Sequence, residues 1–580
     1  MTHLFCLNEL TAVRFVYFAL RRRDMVLLPV LPLFPFAKRF LDKLARWAVA
    51  RSNVGPIESL CPELTPAWEL PHIMQENIFE EIEPWQRAYY RFDYVGERLA
   101  DYAMAYKQVV SNYLGNRLYT MLMIRRAVEK SGREHVQVHG LSPDIAKAME
   151  VYADSGAGDS ILPFWVPDRV LNFFLTLASI VYALGWVLSR VRLSPSPAKE
   201  IFFAADYISD VDDINLYEEI EDGGPILLVT RAEALINSGQ PERVARFEHC
   251  SISDGIFPAK DVPGVMWFVI KETVRLYSVI GDVSVSLYYN LSTLPFRRIV
   301  YRAFFNRFRP KVFWGRDLYN VEHILRRTEL ARIGGSSWSP FHGYPTYAPV
   351  FSMVRYINLD RMYTISYAFH RKYYLDTWAA DMKVVSGTTF RAPRNILSQC
   401  LPAEQRENDI LILCAIYIRE PAMIEFVRKL AMKFPKRRIV LQVKSAFRNR
   451  AEFPGFIEGC TKGMENVQLT QEPVYELLGR SRYVFSDPST AVLEAVQLGA
   501  YSFAVDVSLI HKTTTLRDIP EFCVGSADEA IDRIHSLENG SWSYPIETLA
   551  DFVDLSGECF YDMVRRDLGL PVRETPHPVW

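Results

Sequence analysis

From about residue 200 to residue 540 the chain repeats one pattern: a short apolar run, a polar turn, a stretch of helical periodicity, then another apolar run. EIFFAADYI, PILLVTR and KVFW, with the helical GVMWFVIKETVRLYSVI among them, form a first block ending near residue 350. A second block holds MKVVSG, DILILCAIY, RRIVLQVK, RYVFSD and YSFAVDV, separated by helical stretches such as EPAMIEFVRKLAMKF. Strands joined through a helix lie parallel, and strands covered on both faces read as unbroken apolar runs. The pattern predicts an α/β fold with two Rossmann-like domains, residues 196–350 and 360–540, followed by a tail, 541–580, that packs back. Ligands of such sheets bind beyond the C-terminal ends of the strands, so two of them predict a shared cleft.

The first 195 residues break the pattern. From Leu99 through Tyr102, Tyr106, Val110 and Tyr113 apolar residues recur at helical steps, and the region reads as a mainly helical extension. MVLLPVLPLFPF (25–36) has three prolines and cannot be a regular helix; it suits a groove or a membrane. Residues 170–189 are uncharged between Arg169 and Arg190, long enough to reach across a bilayer core. A full span would part residues 1–168 from the rest, so a re-entrant or interfacial helix is expected. The Pro-containing LSPSPAKE (193–200) is the linker into the first block.

Composition narrows the partners. A formal net charge of −2 gives no global field for nucleic acid. Eight scattered cysteines without a C-x-x-C pair suit a reducing compartment. In the first 23 residues the basic cluster follows the apolar stretch, the reverse of a secretory leader. The expected location is the cytoplasm, at the inner face of its membrane.

YVFSDPSTAVLEAVQLGAYSFAVD (483–506) reads as strand, turn, helix, glycine stop and strand. Asp487 or Ser489 would cap the helix. Ser489 and Thr490 add hydroxyls to the free N–H groups there, an arrangement suited to phosphate, and Glu494 lies one turn on, where it would meet a ribose. SSWSPFHGYP (336–345) is a stiff aromatic loop around His342 and Gly343. Asp210-Val211-Asp212 has the form of a metal-holding pair but reads as a solvated acidic loop, so no metal or other cofactor is expected. Arg316, Arg326 and Arg327 suit either phosphates or a solvated helix face.

The S/D-x-S-T turn followed by L-E-A-x-x-L-G resembles the donor-nucleotide region of GT-B glycosyltransferases of the surface and capsular polysaccharide type. Residues 311–345, with their Asp-containing loop, basic helix, Gly-Gly turn and His-Gly, resemble the same transferases and, more loosely, the glycerophosphotransferases of wall teichoic acid assembly. The resemblance covers roughly residues 200–540. It implies a GT-B pair of domains closing on a nucleotide-activated sugar, with a glycan or lipid-linked acceptor. It implies His342 and Gly343 at the reaction centre, and Ser489, Thr490, Glu494, Lys444 and Gly387 around the nucleotide. Two departures matter. Eight positions before Glu494, where retaining relatives carry an acid, stands Ser486, which favours inversion. Where relatives using CMP-activated sugars carry His-Pro, this chain has Lys444-Ser445. A CDP-polyol phosphotransferase and an inactive scaffold of the same fold are the alternatives.

Overall fold

The computed structural model describes residues 2–9, 11–21, 25–28, 30, 37–50, 54–56, 81–131, 136–153, 161–162, 167–206, 211–230, 241–316, 318–341, 352–388, 392, 394–487, 489–507, 516, 519–574 and 579–580. Three wholly parallel sheets organise them. The N-terminal sheet consists of β1 (Thr2–Phe5), β2 (Met25–Leu27), β3 (Val54–Pro56), β4 (Val136–His139) and β5 (Ile161–Leu162), in the order β3-β2-β1-β4-β5. After a short pairing of β6 (Val191–Arg192) with β10 (Phe257–Pro258), the middle sheet takes β7 (Lys199–Ala205), β8 (Ile226–Thr230), β9 (Glu248–Ser251), β11 (Phe308–Trp314), β12 (Ser336–Pro340), β13 (Arg361–Thr364) and β14 (Lys383–Ser386). Its order is β14-β13-β12-β11-β7-β8-β9. The C-terminal sheet uses β15 (Glu407–Cys414), β16 (Ile439–Val443), β17 (Val467–Leu469), β18 (Ser481–Ser486), β19 (Tyr501–Val505) and β20 (Cys523–Val524), ordered β17-β16-β15-β18-β19-β20.

In each sheet the chain steps outward from a central strand, returns to the centre and steps the other way. This is the doubly wound order, and its reversal points, β1/β4, β7/β11 and β15/β18, are where such sheets open a crevice. The apolar runs explain the central strands. β8, β16 and β19 are buried at every residue, as strands with both faces covered must be.

The α/β architecture with two Rossmann-like domains is present, with two differences in detail. MKVVSG closes the middle sheet instead of opening the C-terminal one. Met362 of β13 pairs with Val384 of β14, so the change of sheet expected between 350 and 360 falls after Ser386. β14 is a half-exposed edge strand, and a short edge run shows nothing in sequence about which sheet it joins. The first 168 residues do carry long helices, with Tyr106, Val110 and Tyr113 buried along Ala103–Ser131. They also carry the N-terminal sheet, whose strands of two to four residues are too short to show a period. Met25–Leu27, the start of the proline-rich run, is one of those strands, and Met25, Val26 and Leu28 are buried rather than free to dock. The rest of that run lies largely outside the described residues.

The Ala103–Ser131 helix ties the N-terminal sheet to the middle of the chain. Ser111 donates to Ser352 O (3.1 Å) and Asn112 to Tyr319 O (2.7 Å). At the other end, the Phe560–Leu568 helix packs on the middle sheet. Phe560 lies against Trp314 and Tyr363, Arg565 pairs with Asp222 at 2.7 Å, and Tyr363 donates to Asp567 at 2.7 Å.

Candidate functional site

The C-terminal sheet brings several of the expected residues to its reversal point. β18 delivers Asp487, whose backbone N–H bonds Leu413 O of β15 (3.2 Å), while Lys444, just past β16, donates its N–H to Cys414 O (2.9 Å). Lys444 and Asp487 therefore flank the end of β15 on the same sheet edge. The Lys444 side chain is exposed and Asp487 is buried.

One carboxylate oxygen of Asp487 accepts from Ala415 N (2.6 Å) and Tyr417 N (3.3 Å). It thus holds the turn that follows the central strand. Burial pushes this carboxyl up to about 6; the Ala415, Tyr417 and Ile416 N–H groups and the Lys444 charge pull the other way without cancelling it. Sequence reading gave Asp487 only as a possible helix cap. Its signal was there: an acid ending an apolar parallel strand must find donors or remain unpaired in the interior.

Ser489 and Thr490 follow, both half-buried, and lead into the two-turn helix Ala491–Gln497. Ser489 Oγ accepts from Ala491 N (3.2 Å) in the turn that leads into the helix, whose N-cap position is Thr490 rather than the expected Asp487 or Ser489. Glu494 is buried and accepts from Tyr475 at 3.0 Å. Gly387 sits toward the other end of this helix, where its carbonyl accepts from Gln497 Nε2 (3.1 Å). The structure thus gathers Lys444, Asp487, Ser489 and Thr490 along one edge, with Glu494 on the helix behind and Gly387 nearer the helix's C-terminal end. Gln497, which also bonds Asp554 O at 3.1 Å, was not singled out in sequence.

The middle sheet contributes a different reversal point. Asp206 follows β7, and Gly315 and Arg316 follow β11. Arg326 pairs with Asp206 at 2.6 Å, and Arg316 pairs with Asp213; all are buried. A Cβ at Gly315 would overlap the Arg326 guanidinium, which is why glycine stands there. The solvated-face reading of these arginines is corrected here: Arg316 and Arg326 are interior, and Arg327 is held by Asp360 (2.9 Å) and Asp381 (2.7 Å). A helix with mixed polarity gives no hint in sequence that its basic face turns inward to carboxylates from distant strands.

His342 and Gly343 lie outside the described residues, which resume after them at Ser352. The strand feeding their loop, β12, ends at Pro340, and Phe341 N bonds Tyr363 O at 2.7 Å. Asp210 is also outside the described residues, and Asp212 lies in the Val211–Ile220 helix. Ser486 is buried and its hydroxyl donates to Asp487 O at 2.8 Å.

No family model matches the chain, and no curated protein does. Solved structures are similar to it over most of their own length. MurG of Acinetobacter baumannii is 11% identical, with 54% of this chain and 81% of that one covered and a TM-score of 0.32. UDP-GlcNAc 2-epimerase of Neisseria meningitidis is 11% identical over 61% and 93% of the two chains, at 0.35. The wall teichoic acid polymerase TagF is 10% identical over 70% and 98%, also at 0.35. At such scores the likeness says nothing about activity.

Proposed function

We propose that the chain is a glycosyltransferase that moves a sugar from a nucleotide-activated donor to a growing surface polysaccharide or lipid-linked acceptor, without a metal and with inversion. The observation that carries this reading is the edge at β15/β18, where exposed Lys444 and the half-buried hydroxyl residues Ser489 and Thr490 stand beside buried Asp487. Lys444 supplies a point charge for a diphosphate, and the two hydroxyls supply donors that need not be removed from water at great cost. Asp487 fixes the turn after β15. A leaving nucleotide held this way is stabilised by fixed donors at the moment its charge develops. His342, from the loop after β12, is the general base toward the acceptor hydroxyl, and Gly343 lets the backbone come close. Ser486 stands where many retaining relatives carry an acid, and this departure supports inversion.

The test is a nucleotide panel (UDP, GDP, CMP, CDP and dTDP) in thermal unfolding, with manganese or with EDTA, on the wild type, Lys444→Ala and Thr490→Ala. Ligand at a hundredfold excess over its Kd adds about 2.7 kcal/mol to the folded state. That is an upward shift of several degrees. The expected result is one stabilising nucleotide, indifferent to EDTA, with the shift lost in Lys444→Ala. CDP alone, with turnover of a CDP-polyol, would favour the phosphotransferase. No shift with any nucleotide would leave an inactive scaffold of the same fold.

A further inference from the structure

The helix Asp168–Ser189 is apolar enough and long enough to cross a membrane, yet both its ends are fastened to the same folded body. At its start Asp168 accepts from Val285 N (3.3 Å), and at its end β6 pairs with β10. Along its length the polar residues face inward. Asn172 donates to Gly281 O (3.1 Å) and Val283 O (2.7 Å), Thr176 bonds Tyr288 (2.7 Å), and Ser179 bonds Ser292 (3.1 Å). A helix pinned in this way cannot stand across a bilayer without taking the middle sheet's covering helices with it.

Among the described residues its other face is largely uncovered, touched only at its edges where Phe173 meets the Tyr277 ring and Tyr182 the Phe296 ring. Val170, Phe173, Phe174, Leu177, Val181 and Tyr182 recur at three- and four-residue steps and are all exposed, Val181 at 72% and Phe174 at 61%. The antiparallel neighbour Val262–Ile280, which packs beside it, adds Trp267, 65% exposed. Exposed apolar residues recurring along one helix and present on the helix packed beside it mark a docking surface rather than scattered exposure. Its rim is basic. Arg190, Arg192 and Lys260 gather where the end of one helix meets the start of the other, and Arg169 and Lys271 extend the rim. Asp261 is an exposed acid among them, while Glu272 is turned inward, 6% exposed. An apolar face edged with cations complements anionic head groups over acyl chains, and an in-plane helix buries such a face to the depth of the head-group boundary.

We infer that the outer face of Asp168–Ser189 together with Trp267 of the adjoining helix docks the chain in the plane of an anionic lipid bilayer, with Arg190, Arg192 and Lys260 on the head groups. The inference does not depend on any transferase activity. It is tested by flotating the full chain with vesicles of phosphatidylcholine alone or with about one third phosphatidylglycerol. The wild type is expected to float with the anionic vesicles. Phe174→Asp with Val181→Asp should cut the floated fraction about tenfold or more, and Arg190→Ser with Arg192→Ser should cut it about tenfold on anionic vesicles only. Phe174, Val181 and Arg192 lie at the surface, so the aspartate pair should keep its melting temperature; Arg190 is half-buried over the Trp186 ring, so Arg192→Ser alone repeats the charge test should the arginine pair lose stability. Trp267→Ser, on the other helix, repeats the test should the aspartate pair unfold. Wild type that stays with unbound protein on both vesicles overturns the inference. So does an aspartate pair that floats like wild type. A wild-type dimer in light scattering, made monomeric by the aspartate pair and never floating, would assign the face to a second copy instead.

Discussion

At the reversal point of the N-terminal sheet, Asn8 donates to Gly140 O (3.1 Å), Thr11 Oγ1 donates to Cys6 O (3.0 Å), and Gly140 is packed against both. At that of the C-terminal sheet, one buried acid holds the turn and an exposed lysine stands beside it. The strand order is the same in both, so topology sets only where a crevice belongs. Whether it is a site depends on the side chains that the strand ends deliver. In the N-terminal sheet the ends deliver short polar residues that satisfy one another. In the C-terminal sheet they deliver a charge that the interior only half accepts. The middle sheet lies between these cases, with charges delivered but neutralised in buried pairs.

The largest effect expected from breaking this contrast is in the middle sheet. Arg326→Ala leaves Asp206 buried at a sheet end without its guanidinium, and removing one partner of a buried pair typically costs about 3–5 kcal/mol. Denaturant unfolding followed through the tryptophans should show that loss. If Arg326→Ala instead unfolds within about 1 kcal/mol of wild type, water reaches the pair and this reversal point is open like the C-terminal one.

Asp487 should give a smaller effect with a diagnostic pH dependence. Its carboxyl titrates at about 6 in the fold against an ordinary 3.8. Below the lower value it is neutral whether folded or not. Between the two the unfolded chain releases the proton and the folded chain keeps it, so stability falls as pH rises, and above 6 the whole cost, up to about 3 kcal/mol, is present. Asp487→Asn keeps an oxygen for Ala415 N and should therefore melt higher than wild type at pH 7, with the gain vanishing toward pH 4. The same variant should weaken the nucleotide response. Gained stability with lost binding marks a residue retained for function. His139, at the other reversal point, has the opposite sign. Burial first, then the charges of His3 and Arg14, hold it down to about 4 against an ordinary 6.5. Its share of stability is present above 6.5 and disappears as pH falls toward 4. Melting curves across pH 4 to 8 that show the Asp487→Asn gain growing toward acid would reverse the assignment.

What was legible in the sequence follows from length and burial. The central strands β8, β15, β16, β18 and β19 are long, apolar runs, and their alternation with helices led to the two Rossmann-like domains. β14 was seen as a strand but placed in the wrong sheet, because strand pairing is a long-range property with no local signature. The N-terminal sheet was missed for a related reason: Thr2–Phe5 and Val136–His139 are parallel neighbours more than 130 residues apart, each one turn's worth of sequence. VQVHG, which carries His139 and Gly140, has nothing in its own five residues to assign it; its place is clear only from the partner strand. That Lys444, Ser489 and Thr490 stand beyond strand ends is legible because turns at strand ends are local. Asp487's role depends on N–H groups 70 and 72 residues earlier, and the inward turn of Arg316 and Arg326 depends on carboxylates over 100 residues away.

Two glycines complete the contrast with the smallest expected effect. Gly140 has φ +90°, and a Cβ there would lie 2.5 Å from Cys6 O and 2.7 Å from the Thr11 methyl. Gly140→Ala should cost about 1–3 kcal/mol, since a backbone atom would have to yield. At Gly387 φ is not in the left-handed region, and a Cβ would meet the Phe560 ring at 3.6 Å, an ordinary contact. Gly387→Ala should change stability by less than about 0.5 kcal/mol. Its value as a probe lies in that silence. The resemblance put Gly387 over the nucleotide, whereas its carbonyl is engaged by Gln497, toward the C-terminal end of the helix that Thr490 begins. If Gly387→Ala leaves both melting temperature and nucleotide shift unchanged, Gly387 belongs to the support of the helix, and the crevice is bounded by Lys444 and Thr490. If the shift is lost while the melting temperature holds, the ligand reaches across from β18 to the edge of the middle sheet, and the two domains close on it together.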